Sequence, residues 1–487
     1  MDLTVSNRAA ASNSVAVPDD SATSRDDPAA ASGGAVRAPG HPAAVPKGQV
    51  VVPNIGPALP ARQSSWACSV QADPALLGDI AHAVGGPFHV IDPERFAANL
   101  ESFRAALRVA GVEGRIYFGK KANKAGAWLE ECARHDGGVD VASAQELVHT
   151  LGHGVRGRDI VVTGPAKSSE LLWLAARHEC LIAIDDLEEL ERLVDVGVPA
   201  RILLRVLPPT GPNSRFGLDS EQLERALDRC VRVREQITMD GFSFHLDGYL
   251  PQPRAELADA LIDRCLDARA RGLAATSIDI GGGFACDYVD AEDWRRFQED
   301  YSDEWFHAAK QFTRFYPYHQ APVGADMLAA VLAQVGPRFV ETGTRLLCEP
   351  GRALLDQAGF SVFPVQGCKA RGDHFAVTVA GLSMSISEQW KGSEFLPDPL
   401  LWPAGSPGDD APITAFVAGS SCLEYDVLTW RKIAFERAPR YGELIVYPNT
   451  AGYQMDKNES GFHQLPLPPK VRVHTRDGRY TWSIDAH

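Results

Sequence analysis

From Phe88 onward the chain alternates two kinds of hydrophobic pattern. FHVID is a short apolar run, and the stretch after it sets Phe96, Leu100, Phe103 and Leu107 at helical spacing, which predicts a strand and then a helix. RIYFGKKAN precedes a helix from about Ala125, GVDVAS one from Gln145, and DIVVTGP one running through Leu171 to Ala176. LIAID, RILLRV, GFSFHLD, TSIDIGGG and RLLCEPG continue the series. Strands alternating with helices pair in parallel through crossovers, and about eight such units predict a closed (β/α)8 barrel over 88–355, with a doubly wound open sheet as the second architecture. After about Leu355 the runs FSVFPVQGCKA, HFAVTVAG, ITAFVAGSS, ELIVYPNT, KVRVHT and RYTWSID follow one another with only turns between them. Residues 356–487 therefore read as an all-β domain, which the strand near 86–92 is positioned to join. Within it, Met384 to Pro412 is polar and proline-containing, includes Trp390, and reads as a loop excursion. The fold class is α/β: a barrel followed by a C-terminal all-β domain.

Composition changes the picture mainly at the N-terminus. Residues 1–65 are rich in Ala, Pro, Ser, Gly and Asp, cannot bury enough apolar area to offset their ordering entropy, and are expected to be a disordered tail. Five basic and five acidic residues cancel there, so the formal net charge of −15 sits entirely in the remainder. An acidic folded body without a basic run argues against nucleic acid or anionic membrane as a partner. The nine cysteines are dispersed without a CxxC pair, which fits a reducing compartment, and the cytoplasm is the expected location. No apolar stretch approaches the roughly 20 residues of a membrane span, and no basic region precedes an apolar one at the N-terminus as in a secretory signal.

Barrel enzymes place their chemistry at the C-terminal ends of the strands. One strand ends in Tyr117-Phe118-Gly119-Lys120-Lys121-Ala122-Asn123; by period-2 alternation Lys121 shares a face with Gly119 and Tyr117, and Lys120 with Phe118 and Ile116. A lysine behind a glycine has room beside it for a flat ring, and a desolvated amine there suits Schiff-base chemistry. GFSFHLDGY puts His245 at another strand end. SIDIGGGF supplies Gly281, Gly282 and Gly283, where missing side chains let backbone N–H groups approach a phosphate. CEPGRAL supplies Glu349 and Arg352 on either side of the Pro350-Gly351 turn. Each signal alone also fits a solvated lysine, a packed histidine, a simple turn or a surface ion pair.

Together, in this order, the motifs resemble the ornithine/diaminopimelate decarboxylase family of pyridoxal-phosphate (PLP) enzymes, with the alanine-racemase-like barrel of fold type III. The family pattern is a K-A-N strand end, an F-H strand, an I-G-G-G-F turn, an E-P-G-R turn and a cysteine motif near the C-terminus; the likeness runs from about Phe88 to about Leu467 and includes GVDVASAQEL and SRFGL. The resemblance implies that Lys121, and not Lys120, forms the internal aldimine with PLP, that His245 stacks on the pyridine ring, and that Glu349 pairs with the ring nitrogen. It implies that Gly281, Gly282, Gly283, Pro350, Gly351 and Arg352 hold the phosphate region, with a hydroxyl from Tyr453. Cys422 in GSSCLEYD matches the cysteine that protonates the substrate carbon after CO2 leaves, reaching the site from the second subunit of a homodimer. Arg352 and Glu424 are its substrate-side candidates, and no metal is implied.

The sequence departs from the family on the substrate side. The F-H strand continues Leu246-Asp247-Gly248 where the family usually has a phosphate-touching serine, Leu423 stands where an acidic residue commonly follows the cysteine, and the Arg-Pro motif of diaminopimelate recognition is missing between Val379 and Trp402. The usual G-A-Y reads A-G-Y at Tyr453. The expectation is a decarboxylase of an amino acid or of an amino-acid-derived substrate, siderophore-type or tethered to a carrier protein, on a divergent branch. A racemase or epimerase on the same fold, or a non-catalytic PLP-binding protein, are the rival readings.

Overall fold

The computed structural model describes residues 55–383, 394–403, 411–456, 461–476 and 478–485. The first 54 residues of the expected tail, and most of the loop from Met384 to Pro412 including Trp390, lie outside the described residues.

The first strand, β1 (Phe88–Ile91), is followed by eight parallel strands that close into a barrel: β2 (Gly114–Gly119), β3 (Gly138–Val141), β4 (Ile160–Val162), β5 (Leu181–Ile184), β6 (Ala200–Arg205), β7 (Ile237–Ser243), β8 (Ser277–Asp279) and β9 (Arg345–Cys348). Closure comes from β9 pairing with β2, Gly114 opposite Leu346. The strands are short and almost wholly buried, because helices cover the outside and side chains fill the inside. Alternation divides them cleanly. Tyr117, Val161, Leu181, Leu203 and Leu347 pack together within the barrel, while Ile116, Phe118, Val139, Ile160 and Val162 belong to the larger core against the helices. Gly138 is a glycine because a Cβ there would run into the Tyr117 ring. Two residues beyond inward-facing Gly138, Ser277 and Leu347 come Asp140, Asp279 and Glu349, so strand parity delivers three carboxylates to the top of the barrel.

The remaining strands are β10 (Gly359–Arg371), β11 (His374–Val379), β12 (Leu400–Trp402), β13 (Ile413–Ala418), β14 (Val427–Phe435), β15 (Leu444–Tyr447), β16 (Lys470–Arg476) and β17 (Arg479–Ile484). The thirteen-residue β10 serves two partners in turn: its first half pairs with β1 and β15, and its second half, past a register shift between Val365 and Gly367, pairs with β11. β1 also pairs in parallel with β16, so it lies in this sheet and not in the barrel. Helices Ser65–Ala72 and Leu76–Val84 cover one face of the sheet, packing Val70, Leu77 and Ile80 on Phe88, Val90, Phe360 and Val446.

Two sequence expectations shift. The segment expected to be a disordered tail up to residue 65 is held at its end: Leu59 is 0% exposed, its N–H donates to Asp398, the Pro57 carbonyl accepts from Arg431, and Arg62 pairs with Asp287. These anchors are mostly backbone hydrogen bonds, which composition does not reveal. Within the expected loop, Leu400–Trp402 forms β12 beside β15.

The β-domain also fixes the chain just beyond β2. Asn123 donates to the Ala451 carbonyl at 2.9 Å, and Tyr453 N–H donates to the Ala122 carbonyl at 2.8 Å. Asp456 accepts from the Lys124 N–H and from Lys470. Asp485, after the last strand, accepts from Gly126 and Ala127 N–H at 2.7 and 3.1 Å, satisfying orphan donors at the start of helix Gly126–Arg134. The turn carrying Lys121 is thus clamped by the second domain.

Candidate active site

At the C-terminal end of the barrel lies a cavity of about 690 Å³, lined by Lys121, His245, Gly282, Gly283, Glu349, Gly351, Arg352 and Tyr453 from the expected set. β2 ends at Gly119, and Lys120–Ala122 form a 3-10 turn, so the two lysines part company. Lys120 is 4% exposed and does not line the cavity; Lys121 is 48% exposed at its side chain and does. Its Nζ donates to Asp140 Oδ2 at 3.2 Å, and Asp140 Oδ1 accepts from the Thr163 hydroxyl at 2.5 Å. The Asp140 carboxylate raises the Lys121 pKa above that of an ordinary lysine, outweighing the opposing effect of burial. Beside the desolvation expected from the sequence, the neighbouring Asp140 favours the ammonium form of Lys121.

Glu349 follows β9 and Asp279 ends β8. Burial, then the neighbouring Asp279 and Asp140 carboxylates, push Glu349 well above the usual carboxylate range; burial likewise lifts Asp279 to about 6. Asp279 Oδ1 accepts from Gly281 N–H at 2.9 Å. His245 Nδ1 accepts from Gly282 N–H at 3.3 Å, which fixes the ring beside the glycine turn. Its enclosure by the barrel rim, and then the charge on Lys121, press its pKa down to about 3, so it is a neutral ring at physiological pH.

The glycine triplet is sterically required. Gly281 and Gly283 have φ of +67° and +77°, and a Cβ on Gly281 would stand 2.6 Å from His245 Nδ1. On Gly283 it would collide with Arg254, and on Gly282 it would stand 2.8 Å from the Glu349 carbonyl. Arg352 donates to the Tyr288 hydroxyl at 3.0 Å and the Gly452 carbonyl at 3.1 Å, with its guanidinium over the rings of Tyr316 and Tyr453. Gly281 and Pro350 act from behind the lining; the Pro350 carbonyl accepts from Gly119 N–H.

Cys422 and Glu424 are not in this cavity. They lie exposed between β13 and β14, on a loop built around Asp426, whose carboxylate accepts from Ser383 N–H at 2.6 Å and Ser421 N–H at 3.0 Å. Cys422 N–H donates to His463 Nε2 at 3.3 Å.

Several residues at the site were not singled out from the sequence. Asp140 and Asp279, which contact Lys121 and the glycine turn without lining the cavity, had a signal, a lone acid in an otherwise apolar strand in GVDV and SIDI. Tyr249 and the run Arg314-Phe315-Tyr316-Pro317 had none; the run belongs to the long connection between β8 and helix Gly324–Thr342, which carries helix Ala291–Glu299 and a cluster of aromatic rings.

A ring nitrogen bearing a proton would meet the buried Glu349, and a phosphate would fit a turn that tolerates no Cβ, so the residues fit PLP. Residues 94–356 match the pyridoxal-binding domain of the pyridoxal-dependent decarboxylases, more than half of the chain. The chain belongs to that family. It is a PLP-dependent decarboxylase. The chain is 36% identical over 412 residues to uncharacterized protein y4yA of Sinorhizobium fredii, covering 82% of this decarboxylase and 90% of that protein. It is 25% identical over 440 residues to the diaminopimelate decarboxylase of Synechocystis, covering 83% and 84%. In fold it is similar to the arginine decarboxylase of Paramecium bursaria Chlorella virus, at a TM-score of 0.65, 16% identity, and coverage of 82% of this decarboxylase and all of that chain. Among the described residues no helix is long and apolar enough to cross a membrane.

Proposed function

We propose that this decarboxylase removes the α-carboxylate of an amino acid held above Lys121, replacing CO2 by a proton delivered by Cys422 of the partner subunit. The observation that carries the reading is the Lys121–Asp140 pair in one cavity with Glu349, His245 and the glycine turn. PLP, when bound, supplies the electron sink that lets the bond from the α-carbon to the carboxylate break. Lys121 would hold the cofactor through Nζ, and Asp140 would hold a proton at that amine through its hydrogen bond. Glu349 would hold a proton at the ring nitrogen. His245, neutral and fixed by Gly282, orients the ring. Gly282, Gly283, Arg352 and Tyr453 would bind the phosphate.

An exposed Cys422 on a loop held by Asp426, outside its own chain's cavity, is suited to enter the mouth of a second copy. Arg314, exposed at the rim with no ion pair among the described residues, is suited to an anionic group on the far end of the substrate. Free amino acids, and the same amino acids tethered to a carrier protein, should be screened for CO2 release with wild type, Lys121→Ala and Lys120→Ala. Release that is lost with Lys121→Ala and kept with Lys120→Ala supports the assignment; loss only with Lys120→Ala reverses it.

A further inference from the structure

Arg254 lies in the first turn of helix Pro251–Ala270 and is 1% exposed, one of the largest fully buried side chains of the molecule. A guanidinium is nearly always paired with a carboxylate when buried this deeply, because removing an ion from water costs several kcal/mol or more unless something compensates it. Its hydrogen-bond partners here are backbone carbonyls. Nη2 donates to Gly248 at 3.0 Å, Gly282 at 3.1 Å and Leu246 at 3.3 Å, and Nη1 donates to Leu250 at 3.2 Å. Its Nε is buried with no partner among the described residues. Among the described residues no acidic side chain pairs with it, and burial draws its pKa down to about 10.

The position of this charge is telling. Three of the four carbonyls it gathers belong to two turns that both line the cavity, Leu246–Gly248 and the glycine turn, and it lies so close to Gly283 that a Cβ there would strike it. Neither turn offers a hydroxyl side chain to an anion: one reads Leu-Asp-Gly and the other Gly-Gly-Gly. Asp247 even adds a negative charge to the lining. Arg352 lines the cavity as one cation, whereas a phosphate monoester is close to a dianion at neutral pH.

We propose that Arg254 is a positioning residue for the cofactor phosphate: through the Gly248 and Gly282 carbonyls it ties the glycine turn to the Leu246–Gly248 turn at the cavity wall, and it supplies a second positive charge, besides Arg352, for a phosphate dianion. The inference rests on the reading that this turn receives the phosphate. The phosphate in turn compensates Arg254, which accounts for a buried cation without an acidic partner.

The test compares two ligands that differ only in the phosphate, PLP and pyridoxal, binding to the full chain freed of cofactor. Dissociation constants are read from quenching of tryptophan fluorescence, so the result does not depend on turnover. Wild type should prefer PLP strongly; no preference in wild type would sink the phosphate-site reading itself. Given that preference, Arg254→Gln keeps a donor for the carbonyls and removes the charge, and Arg254→Met fills the same slot should the glutamine protein not fold. Either should weaken PLP by about tenfold or more, ~1.4 kcal/mol, and leave pyridoxal within about twofold. Arg254→Lys, with the charge kept, should restore most of the preference. The 31P signal of bound PLP provides an independent readout: in wild type it should not titrate between pH 6 and 8, and in the neutral variant it should. Equal weakening of both ligands would mean that Arg254 only braces the fold, and an unchanged preference would mean that it has no part in holding phosphate.

Discussion

The carboxylate of Asp140 accepts a hydrogen bond from Nζ of Lys121 at 3.2 Å, joining the turn after β2 to the strand beside it. Two opposing influences act on that amine. Burial disfavours the ammonium, Asp140 favours it, and Asp140 wins.

Removing the winner should reverse the balance. In cofactor-free Asp140→Asn, Lys121 should lose its proton at lower pH than in wild type, by about one pH unit or more. Reductive methylation followed by mass spectrometry of the Lys121 peptide at a series of pH values measures this directly. An unchanged labelling profile would mean that other groups govern the amine. PLP capture at pH 7 by the variant should also be weaker, because the substituted amide no longer orients Nζ.

Asp279 supplies a test through stability. Its folded pKa of about 6 lies above the unfolded value of about 3.9. Between those values the unfolded chain has already released the proton that the folded protein retains. Stability therefore falls as pH rises from about 4 through about 6 and then levels off, and the cost above pH 6 is on the order of 2–3 kcal/mol at most. Cofactor-free Asp279→Asn should melt at a higher temperature than wild type at pH 7.5, and this advantage should vanish near pH 4. A destabilised variant at pH 7.5 would show that the bond from Gly281 N–H to the carboxylate outweighs the cost of burying it.

The connection after β8 brings Arg314 to the cavity. Arg314→Ala should raise KM about tenfold or more for a substrate with a distal anionic group, which is the loss of one charge-assisted contact, and should change kcat little because the residue touches no reacting atom. Steady-state rates over a range of substrate concentrations separate the two. A fall in kcat with constant KM would instead place Arg314 among the groups that align the α-carbon.

What could be read from the sequence divides along physical lines. The barrel was legible because each strand is a short apolar run bounded by turn residues and followed by a helix, as in LIAID before Leu187–Asp195. Lys121, His245 and Glu349 were legible because a family pattern marks them, and Asn123 of the same pattern proves to be the residue that fastens the lysine turn to Ala451. Arg254 was not legible: it sits in PQPRAEL, an ordinary helix start, and its burial depends on two turns that are distant from each other in the chain. Arg314 was equally silent, since nothing local in FTRFYPYHQ says that this long connection returns to the barrel mouth. The extent of the N-terminal tail was misjudged for a related reason, because Leu59 is held by contacts with Asp398 some 340 residues away.

Cys422 tests whether the active site is shared. It is exposed, lies outside its own chain's cavity, and is carried on a loop that Asp426 holds from both sides. On the proposed reading two copies form a twofold dimer, and each copy's Cys422 completes the cavity of the other. Lys121→Ala and Cys422→Ala proteins should each be inactive alone, and mixing them should restore activity. In a mixed dimer both lesions fall in one cavity and the other is intact. With equal amounts and random exchange about half of the dimers are mixed, so activity should approach roughly a quarter of wild type. Native mass spectrometry must confirm that subunits exchange. Once exchange is established, a mixture that stays inactive excludes the shared site, and a Cys422→Ala protein that is active by itself removes the thiol from the chemistry.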